Sequence, residues 1–462
     1  MAKRWAVERC GGRAAKRRAL ERGGGRVAKR RQRQLYLILD DWPSGYSIRK
    51  VDLSSDGFGG SDETPGWKMA ARFSGGWELA CTGDQRLPPA IFRVEAQRGL
   101  PTYFAAAFDS KILAMHPIAP AAALSSVLEG HFPVFDVRMR SCLFAPRMET
   151  TGADPIYIPA GGRLFALADG TFDRLDPLDP PPVQFYRPAY GEEARAWSWL
   201  ELPDPPFERR HVAAYAVHPD GHTIFVSITK GASAATTFAF DTAEHEHEHE
   251  WKRHGEWALP FAGRAHYDRE LDAWVGLSGD SDSIGHLSSC DVVPADPDAG
   301  GDSRCPARKL SKEKLFGDVP TERHVGATLV YTGGRSEYCL VQCVSIEDDG
   351  EQSDYEEDDS DDERNGCDLE GEDYCVCHDH LLYDYDEEDD GSADETKDCD
   401  LREHEQDVTS GIRRYLLRLT TFALKYDRNG DLTTGSGCRV RYYRVPKEST
   451  VALLSNPVAF WM

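Results

Sequence analysis

Histidine and glutamate alternate between His245 and His249, and the segment matches the H-E-x-x-H pattern of zinc metalloproteases. In those enzymes two histidines one helical turn apart bind zinc, and the glutamate activates water. Strict alternation produces this pattern without a helix, and Phe238 and Phe240 just before it are typical of a strand. We therefore expect a solvated loop between strands. Two less favoured alternatives remain: loose metal binding by His245, His247 and His249 on one face of an extended chain, and a catalytic zinc site.

A second group of metal-ligand types lies at Cys375, Cys377, His378 and His380. Structural zinc sites usually use two separated ligand pairs with a short knuckle inside each pair. Here one residue separates the two cysteines, and the surrounding tract is acidic. Incidental thiols on an acidic loop are therefore favoured over a zinc site.

The elements that would position any such site are short apolar segments separated by turn pairs, from Leu35 onward. They are rich in β-branched and aromatic residues, and many are apolar on both faces, as strands inside stacked sheets are. Only the Ala-rich stretch around 119–129 predicts a helix. The chain is therefore predicted to be all-β. The predicted strands are residues 34–41, 46–53, 133–137, 162–170, 222–228, 236–241, 327–334, 338–344 and 414–427, and the turn pairs, which accept positive φ, are 56–57, 169–170, 220–221, 333–334 and 429–430.

A weak repeat places an aspartate after the apolar end of a strand. Asp241 and Asp291 are 50 residues apart, which is about the length of a kelch blade, and other intervals are near one and a half or two such units. Trp251 and Trp257 are placed to fill the gap between blades toward the rim. We therefore predict a kelch-like β-propeller of about six or seven blades, with a pair of large β-sandwiches as the alternative. The repeat occurs at Val51-Asp52, Phe135-Asp136, Phe240-Asp241, Cys290-Asp291 and Tyr426-Asp427.

Several long motifs carry a resemblance to a known family. They include LYLILDDWPSGYSIRKVDL, SKILAMHP, AAYAVHPDGHTIFVSI, RHVGATLVYTGG, YLLRLTTFALKYDRNGDLT and the terminal PVAFWM. The chain resembles, over nearly all of residues 34–462, a plant-specific, grass-expanded family of uncharacterised proteins, DUF1668. The resemblance implies a fold similar to kelch and F-box-associated β-propeller proteins. It implies no catalytic or ligand residues.

Charge divides the chain into three parts. Residues 1–33 contain 13 Lys or Arg and two Glu, and are predicted to form a disordered basic tail. Residues 34–462 are predicted to form the propeller domain. An acidic insert at 347–407 interrupts it with 30 of the 78 Asp and Glu against three Lys or Arg, and is predicted to be disordered. The formal net charge of −24 therefore comes from the insert, and the rest of the chain is nearly neutral.

The basic tail matches a bipartite nuclear-import pattern. Arg17 and Arg18 form one cluster, and Lys29, Arg30 and Arg31 begin a second after ten intervening residues. A nonspecific solvated tail and an organellar presequence remain as alternatives. We expect the nucleus or the cytoplasm, with the nucleus slightly favoured, and a nuclear-import carrier as one partner of the tail.

Twelve cysteines are few for 462 residues, and no secretory leader is recognisable. We therefore expect reduced intracellular thiols, with Cys339 and Cys343 as buried residues of a strand. No apolar run reaches the length of a membrane-spanning helix, so no membrane partner is expected.

No G-x-S-x-G, Walker or dinucleotide motif occurs, and His116, His218 and His324 are predicted as turn or core residues with satisfied hydrogen bonds. We therefore expect a monomeric, non-enzymatic protein-interaction scaffold without catalytic residues or cofactors. Nucleic-acid binding is disfavoured because no aromatic and basic stripe follows the tail. Two alternatives remain: a hydrolase or lyase with its active site at the propeller channel, and capture of basic proteins such as histones by the acidic insert.

Overall fold

The computed structural model describes thirteen parts of the chain, and they fold into the six mainly antiparallel sheets of a six-bladed β-propeller. This confirms the predicted all-β propeller and rejects the sandwich pair. The described residues are 33–53, 81–96, 103–115, 131–146, 148, 155–177, 198–230, 234–243, 250–296, 305–317, 319–347, 413–435 and 437–462.

The strands are numbered in chain order. The first eight are β1 (Leu35–Trp42), β2 (Gly45–Val51), β3 (Cys81–Arg86), β4 (Ala90–Glu95), β5 (Phe104–Ala107), β6 (Lys111–Ala114), β7 (His131–Asp136) and β8 (Ser141–Pro146). The next nine are β9 (Ile156–Ala160), β10 (Arg163–Ala168), β11 (Thr171–Leu175), β12 (Trp199–Leu202), β13 (Val212–Val217), β14 (Thr223–Lys230), β15 (Ala234–Asp241), β16 (Trp251–Gly255) and β17 (Gly263–Arg264). The last ten are β18 (His266–Asp268), β19 (Ala273–Leu277), β20 (Leu287–Asp291), β21 (Arg308–Leu310), β22 (Glu322–Gly333), β23 (Glu337–Glu347), β24 (Arg413–Tyr426), β25 (Leu432–Thr434), β26 (Arg439–Arg444) and β27 (Val458–Trp461).

Helical structure in the described residues is limited to short turns. The α-helix α1 (Val451–Ser455) has five residues, and 3₁₀ turns occur at Arg209–His211 and Ser281–Ser283. No helix in the described ranges is long and apolar enough to cross a membrane.

From the inside outward, blade 1 contains β27, β1, β2 and β4, and blade 2 contains β5 to β8. Blade 3 contains β9 to β12, blade 4 contains β13 to β16, and blade 5 contains β18 to β21. Blade 6 contains β22, β23, β24 and β26, with β3 added in parallel to β26 and β25 paired with β24. Nearest neighbours within a blade are therefore mostly consecutive in the chain, as expected for hairpin-connected strands.

The two ends of the described chain close the ring in blade 1. β27 pairs antiparallel with β1, from Leu35 opposite Trp461 to Ile38 opposite Val458. Beside this ladder, the backbone N–H of Thr450 donates to the buried Asp40 carboxylate at 3.0 Å. The C-terminal strand thus completes a sheet whose other strands come from the opposite end of the sequence.

Apolar clusters fill the seams between neighbouring blades. Between blades 3 and 4, Phe172 meets Phe240 with ring centroids 4.9 Å apart, and Trp251 packs 5.0 Å from each ring. Between blades 4 and 5, Phe225 packs against the fully buried Trp274 at 5.2 Å. Each blade buries both faces, which explains why the predicted strands are apolar on both faces.

The aspartate repeat marks the third strand of a blade. Asp136 shows its role, because one carboxylate oxygen accepts from the backbone N–H groups of Arg138 and Met139 and from the Ser110 hydroxyl. Asp427 likewise accepts from two backbone N–H groups of its turn. The aspartate therefore satisfies turn donors where the third strand ends. Five such ends were predicted, and the sixth is Leu175-Asp176, which follows β11 in blade 3.

Four of the five predicted turn pairs lie in turns between consecutive strands. Gly170 (φ +70°), Gly221 (φ +84°) and Gly430 (φ +79°) adopt the left-handed conformation that the pairs predicted. Gly333 and Gly334 do so together. The remaining pair, 56–57, and the Ala-rich stretch around 119–129 lie outside the described residues.

Asp173 in β11 is a buried carboxylate in an unfavourable setting. Burial raises its pKa to about 6, and the negative charges of Glu201 and Asp204 act in the same direction. Glu201 stands directly opposite Asp173 in the antiparallel register. The folded protein therefore binds this proton more tightly than the unfolded chain does, and the stability contributed by the neutral form is lost as the pH rises through about 6.

We expect Asp173→Asn to raise the free energy of unfolding by about 1–2 kcal/mol near pH 7.5, because it removes the buried charge. The gain should vanish near about pH 4, where the wild-type carboxyl is also neutral. Urea denaturation at the two pH values measures the difference. Glu201→Gln should give a smaller gain of the same sign, and an effect of Asp173→Asn that is equal at both pH values would contradict the assignment.

Candidate functional site

The innermost strand of each blade faces a central cavity of about 990 Å³. β5, β9, β13, β18, β22 and β27 all contribute lining residues, as does the segment before β27. Cavities of this size on a propeller axis are large enough for a small organic molecule. The cavity is therefore the candidate site.

Blade 4 has an additional inner strand at this cavity. β17 pairs in parallel with β13, with Gly263 opposite Ala214 and Arg264 opposite Tyr215. The backbone N–H of Ala265 then donates to the Tyr215 carbonyl at 2.8 Å. Gly263 has φ +72°, a conformation that L side chains rarely adopt, so glycine here permits the chain to turn into the channel. As a result, Arg264 lies on the cavity wall.

Two arginines supply the charge of the cavity wall. Arg264 is exposed to solvent and lies in β17, whereas Arg209 lies in the 3₁₀ turn before β13. The backbone N–H of Arg209 donates to Asp169 at 2.7 Å, which anchors that turn to blade 3. Burial raises the pKa of the Tyr215 phenol, while the charges of Arg264 and Arg209 act to lower it. Both guanidinium groups therefore act on the same part of the cavity.

His266 adds a neutral imidazole beside Arg264. Its Nε2 lies 3.0 Å from the carbonyl oxygen of Leu329 in blade 6, and this oxygen can only accept, so Nε2 carries the proton. Burial, together with the Arg264 charge, lowers the pKa of His266 to about 3. The imidazole is therefore uncharged at neutral pH, and the positive charge of the cavity comes from the arginines.

The chemistry of this wall favours anions. Among the described residues that line it, Arg209 and Arg264 are the charged ones at neutral pH, and none is an aspartate, a glutamate, a serine or a cysteine. Asn456 and several tyrosines add neutral hydrogen-bonding groups. The wall can bind and orient an oxyanion through charge-assisted hydrogen bonds. The described part of the wall contains no pair of carboxylates that could act as general acid and base.

The sequence-predicted metal candidates His245, His247 and His249 lie outside the described residues. The strands on either side of them, β15 and β16, are antiparallel neighbours in blade 4, with Phe240 opposite Trp251. Cys375, Cys377, His378 and His380 also lie outside the described part of the chain. Within the described residues, no group of three His, Cys, Asp or Glu side chains could hold a metal ion.

The predictions for the tail and the insert also fall largely outside the described residues. The import candidates Arg17, Arg18, Lys29, Arg30 and Arg31 belong to residues 1–32, which are not described. Residues 348–412, which include most of the acidic insert, connect β23 to β24, two neighbouring strands of blade 6.

The structure also places two histidines and two cysteines for which the sequence predicted a structural role. His218 Nδ1 lies 2.7 Å from Asp220 in the turn between β13 and β14. His324 stacks on Phe316, with ring centroids 4.2 Å apart, and its Nδ1 lies 3.1 Å from the Gln342 amide. His218 is therefore a turn histidine, as predicted. His324 has the predicted hydrogen-bond partner, but it is exposed in the strand β22 rather than in a turn or the core, and His116 is outside the described residues. Cys339 and Cys343 are fully buried on β23, as predicted, and burial raises the pKa of each thiol to about 12.

Sequence reasoning missed the cavity residues Arg209, Tyr215, Arg264 and His266. The local signals were weak, because Arg264 follows a glycine in GRAHYD and Arg209 belongs to the charged run ERRH. Neither pattern distinguishes a channel residue from a surface residue. The parallel pairing of β17 with β13 brings Arg264 beside Tyr215 on the wall that Arg209 also lines.

Comparisons with known proteins identify a family but no activity. No curated protein matches the chain. Among solved structures, the crystal structure of TolB from Acinetobacter baumannii matches with 13% sequence identity and a TM-score of 0.26, and the match covers 53% of this chain and 52% of that one. The chain thus matches about half the length of TolB, a likeness too weak to bear on function. The model of the family described as "Protein of unknown function (DUF1668)" matches residues 32–437, so this six-bladed propeller chain belongs to the DUF1668 family.

Proposed function

We propose that this protein is a non-enzymatic scaffold that binds a protein partner on the outer surface of blades 2 and 3. The observation that carries the proposal is that three of the six exposed large apolar side chains among the described residues belong to these two blades. Met139 is 73% exposed, Phe144 is 49% exposed and Leu200 is 40% exposed. Exposed large apolar side chains that cluster on one region are typical of protein-binding surfaces.

These residues belong to strands that a specific contact holds together. Met139 lies in the turn between β7 and β8, Phe144 lies in the outer strand β8, and Leu200 lies in the outer strand β12 of the next blade. The Trp199 indole N–H donates to the Pro146 carbonyl at 2.8 Å, which joins the start of β12 to the end of β8. The outer strands of both blades can therefore act as one binding surface.

The propeller suits this role because its frame is held by packed seams. Blades 2 and 3 share an apolar cluster that includes Leu113, Phe132, Leu164 and Leu175, all fully or almost fully buried. A rigid surface loses little conformational entropy when a partner binds.

The proposal extends to a location in the nucleus or the cytoplasm, with the nucleus favoured by the bipartite basic clusters of the tail.

We expect the double variant Phe144→Glu, Leu200→Glu to reduce recovery of the principal partner at least about tenfold, because it replaces two of the three exposed apolar side chains with charges. Proximity labelling in the native tissue, followed by binding measurements with the purified partner, would measure the loss. Leu310→Glu is the matched control, since Leu310 is 45% exposed on β21, the outer strand of blade 5. Equal recovery by the double variant and the wild type, at matched thermal stability, would refute the proposal.

A further inference from the structure

The central cavity takes no part in the proposed binding on the outer surface, and its wall carries charged groups. Its described wall contains two arginines and no carboxylate. Within the described residues, the Arg264 side chain forms neither a hydrogen bond nor an ion pair, although it is close enough to His266 and Tyr215 to alter their ionisation. A cation without a local counterion is a binding site for an anion.

The walls on either side of the arginines are aromatic. Tyr103 and Tyr157 meet edge to face, with ring centroids 6.5 Å apart, where β5 and β9 approach each other. Across blades 5 and 6, Tyr331 lies 6.3 Å from the His266 ring. Tyr103, Tyr157 and Tyr331 are all residues of the same cavity wall as the arginines. They can contact a flat apolar group while the guanidinium groups bind its charged end.

We propose that the central cavity binds a small organic oxyanion, a carboxylate or a phosphate ester that carries a flat apolar group, with Arg264 and Arg209 contacting the oxyanion. Arg264 offers a planar fork of N–H donors, which matches the paired oxygens of either group. His266 hydrogen-bonds blade 6 and carries no charge of its own, so it leaves the arginines as the groups that select the sign of the ligand.

The geometry of β17 holds the backbone of Arg264 in a fixed place at the cavity. β17 has two residues and pairs in parallel with β13. Among the described strands, this extra inner strand occurs in blade 4. The backbone of Arg264 is therefore held by a ladder although its side chain is exposed to the cavity. A side chain on an ordered backbone loses less entropy on binding than one on a mobile loop.

Isothermal titration calorimetry of the full-length protein with four matched probes tests this. Benzoate and phenyl phosphate carry the two oxyanions on the same ring, while benzyl alcohol is neutral and benzylamine is cationic. We expect saturable binding of at least one anionic probe, with the neutral and cationic probes at least about tenfold weaker. Tighter binding of benzoate would identify the natural ligand as a carboxylate, and tighter binding of phenyl phosphate would identify it as a phosphate ester.

Variants then locate the site. Arg264→Gln should lower the affinity for the anionic probe about tenfold. Arg264→Lys should lower it less, because the positive charge remains. Arg210→Gln is the matched control, since Arg210 follows Arg209, is exposed, and pairs with Glu208 at 2.5 Å rather than lining the cavity. It should bind the probe as the wild type does. Arg264 is exposed, so unchanged thermal unfolding should accompany its substitution.

Three results would overturn the inference. They are benzyl alcohol binding as tightly as benzoate, an Arg264→Gln variant that retains wild-type affinity, and the absence of saturable anion binding at millimolar concentration. None of these results depends on a protein partner, so the outcome is independent of the scaffold proposal.

Discussion

Replacing Asp268 with alanine is expected to lower the free energy of unfolding by about 3–5 kcal/mol. Asp268 ends β18 and is fully buried between blades 5 and 6. Its carboxylate accepts from the Ser336 hydroxyl at 2.9 Å and from the Tyr338 hydroxyl at 2.9 Å, both in blade 6. It also accepts from the backbone N–H groups of Glu270 and Leu271 in its own turn.

Removal of this carboxylate leaves four donors to lose their acceptor at once. Burial and the Asp268 charge both raise the pKa of Tyr338, so its phenol remains a protonated donor at all relevant pH values. A buried donor without an acceptor costs more than the bond itself contributed, because its hydration was already lost on folding. The loss should therefore exceed that of an ordinary surface substitution several-fold.

Chemical denaturation of the Asp268→Ala variant at neutral pH measures this loss. Glu270→Ala is the matched control, since it removes an exposed carboxylate from the same turn and should change stability by less than about 0.5 kcal/mol. Tyr338→Phe should also lower the free energy of unfolding, by less than Asp268→Ala does. The loss in the double variant should differ from the sum of the two single losses, because the two side chains share a hydrogen bond. Equal denaturation midpoints for Asp268→Ala and the control would contradict the role assigned to the carboxylate.

Replacing Glu322 with alanine is expected to cost a similar amount, about 3–5 kcal/mol, because it removes the carboxylate next to a buried arginine. Arg418 in β24 is fully buried, and its Nη1 lies 3.9 Å from Glu322 Oε2. The Tyr442 hydroxyl donates to the other Glu322 oxygen at 2.9 Å. Gly317 leaves room for the guanidinium, since a Cβ there would lie 2.5 Å from Arg418 Nη1.

The double variant Glu322→Ala, Arg418→Met gives the sharper test. Replacing both partners of a buried ion pair with apolar groups often changes stability little, whereas removing one partner and leaving the other charge buried is strongly destabilising. The double variant should therefore recover part of the stability that Glu322→Ala loses, as measured by urea denaturation. Glu337→Ala, at an exposed carboxylate in the same blade, is the control. A double variant less stable than Glu322→Ala alone would contradict a charge-pairing role for Glu322.

Much of the fold could be predicted from local patterns in the chain. The segment 222–228 contains the apolar run Ile224-Phe225-Val226, and it forms most of β14, whose two faces pack on blades 3 and 5. The aspartate repeat marked third strands correctly but missed Leu175-Asp176. There Asp173 interrupts the apolar pattern of β11, so the strand did not resemble the others. The predicted interval of 105 residues between Asp136 and Asp241 consequently spans two blades.

The candidate site could not be predicted in the same way. Arg264 and Tyr215 are separated by the whole of blade 4, and their proximity depends on a two-residue parallel pairing that leaves no periodic signal. Asp268, Ser336 and Tyr338 form one buried network across two blades, although each is an ordinary polar residue in its own segment.

The sequence by itself determined that the chain forms short antiparallel strands with both faces buried and aspartates at their turns. Those properties depend on side chains within a few residues of one another, and local steric and hydrophobic preferences act over that range. Only the tertiary structure decided that β27 closes blade 1, that β3 joins blade 6, and that two arginines share one cavity. Each of these depends on partners far apart in the chain, whose pairing is selected by the packing of the complete ring rather than by local propensity.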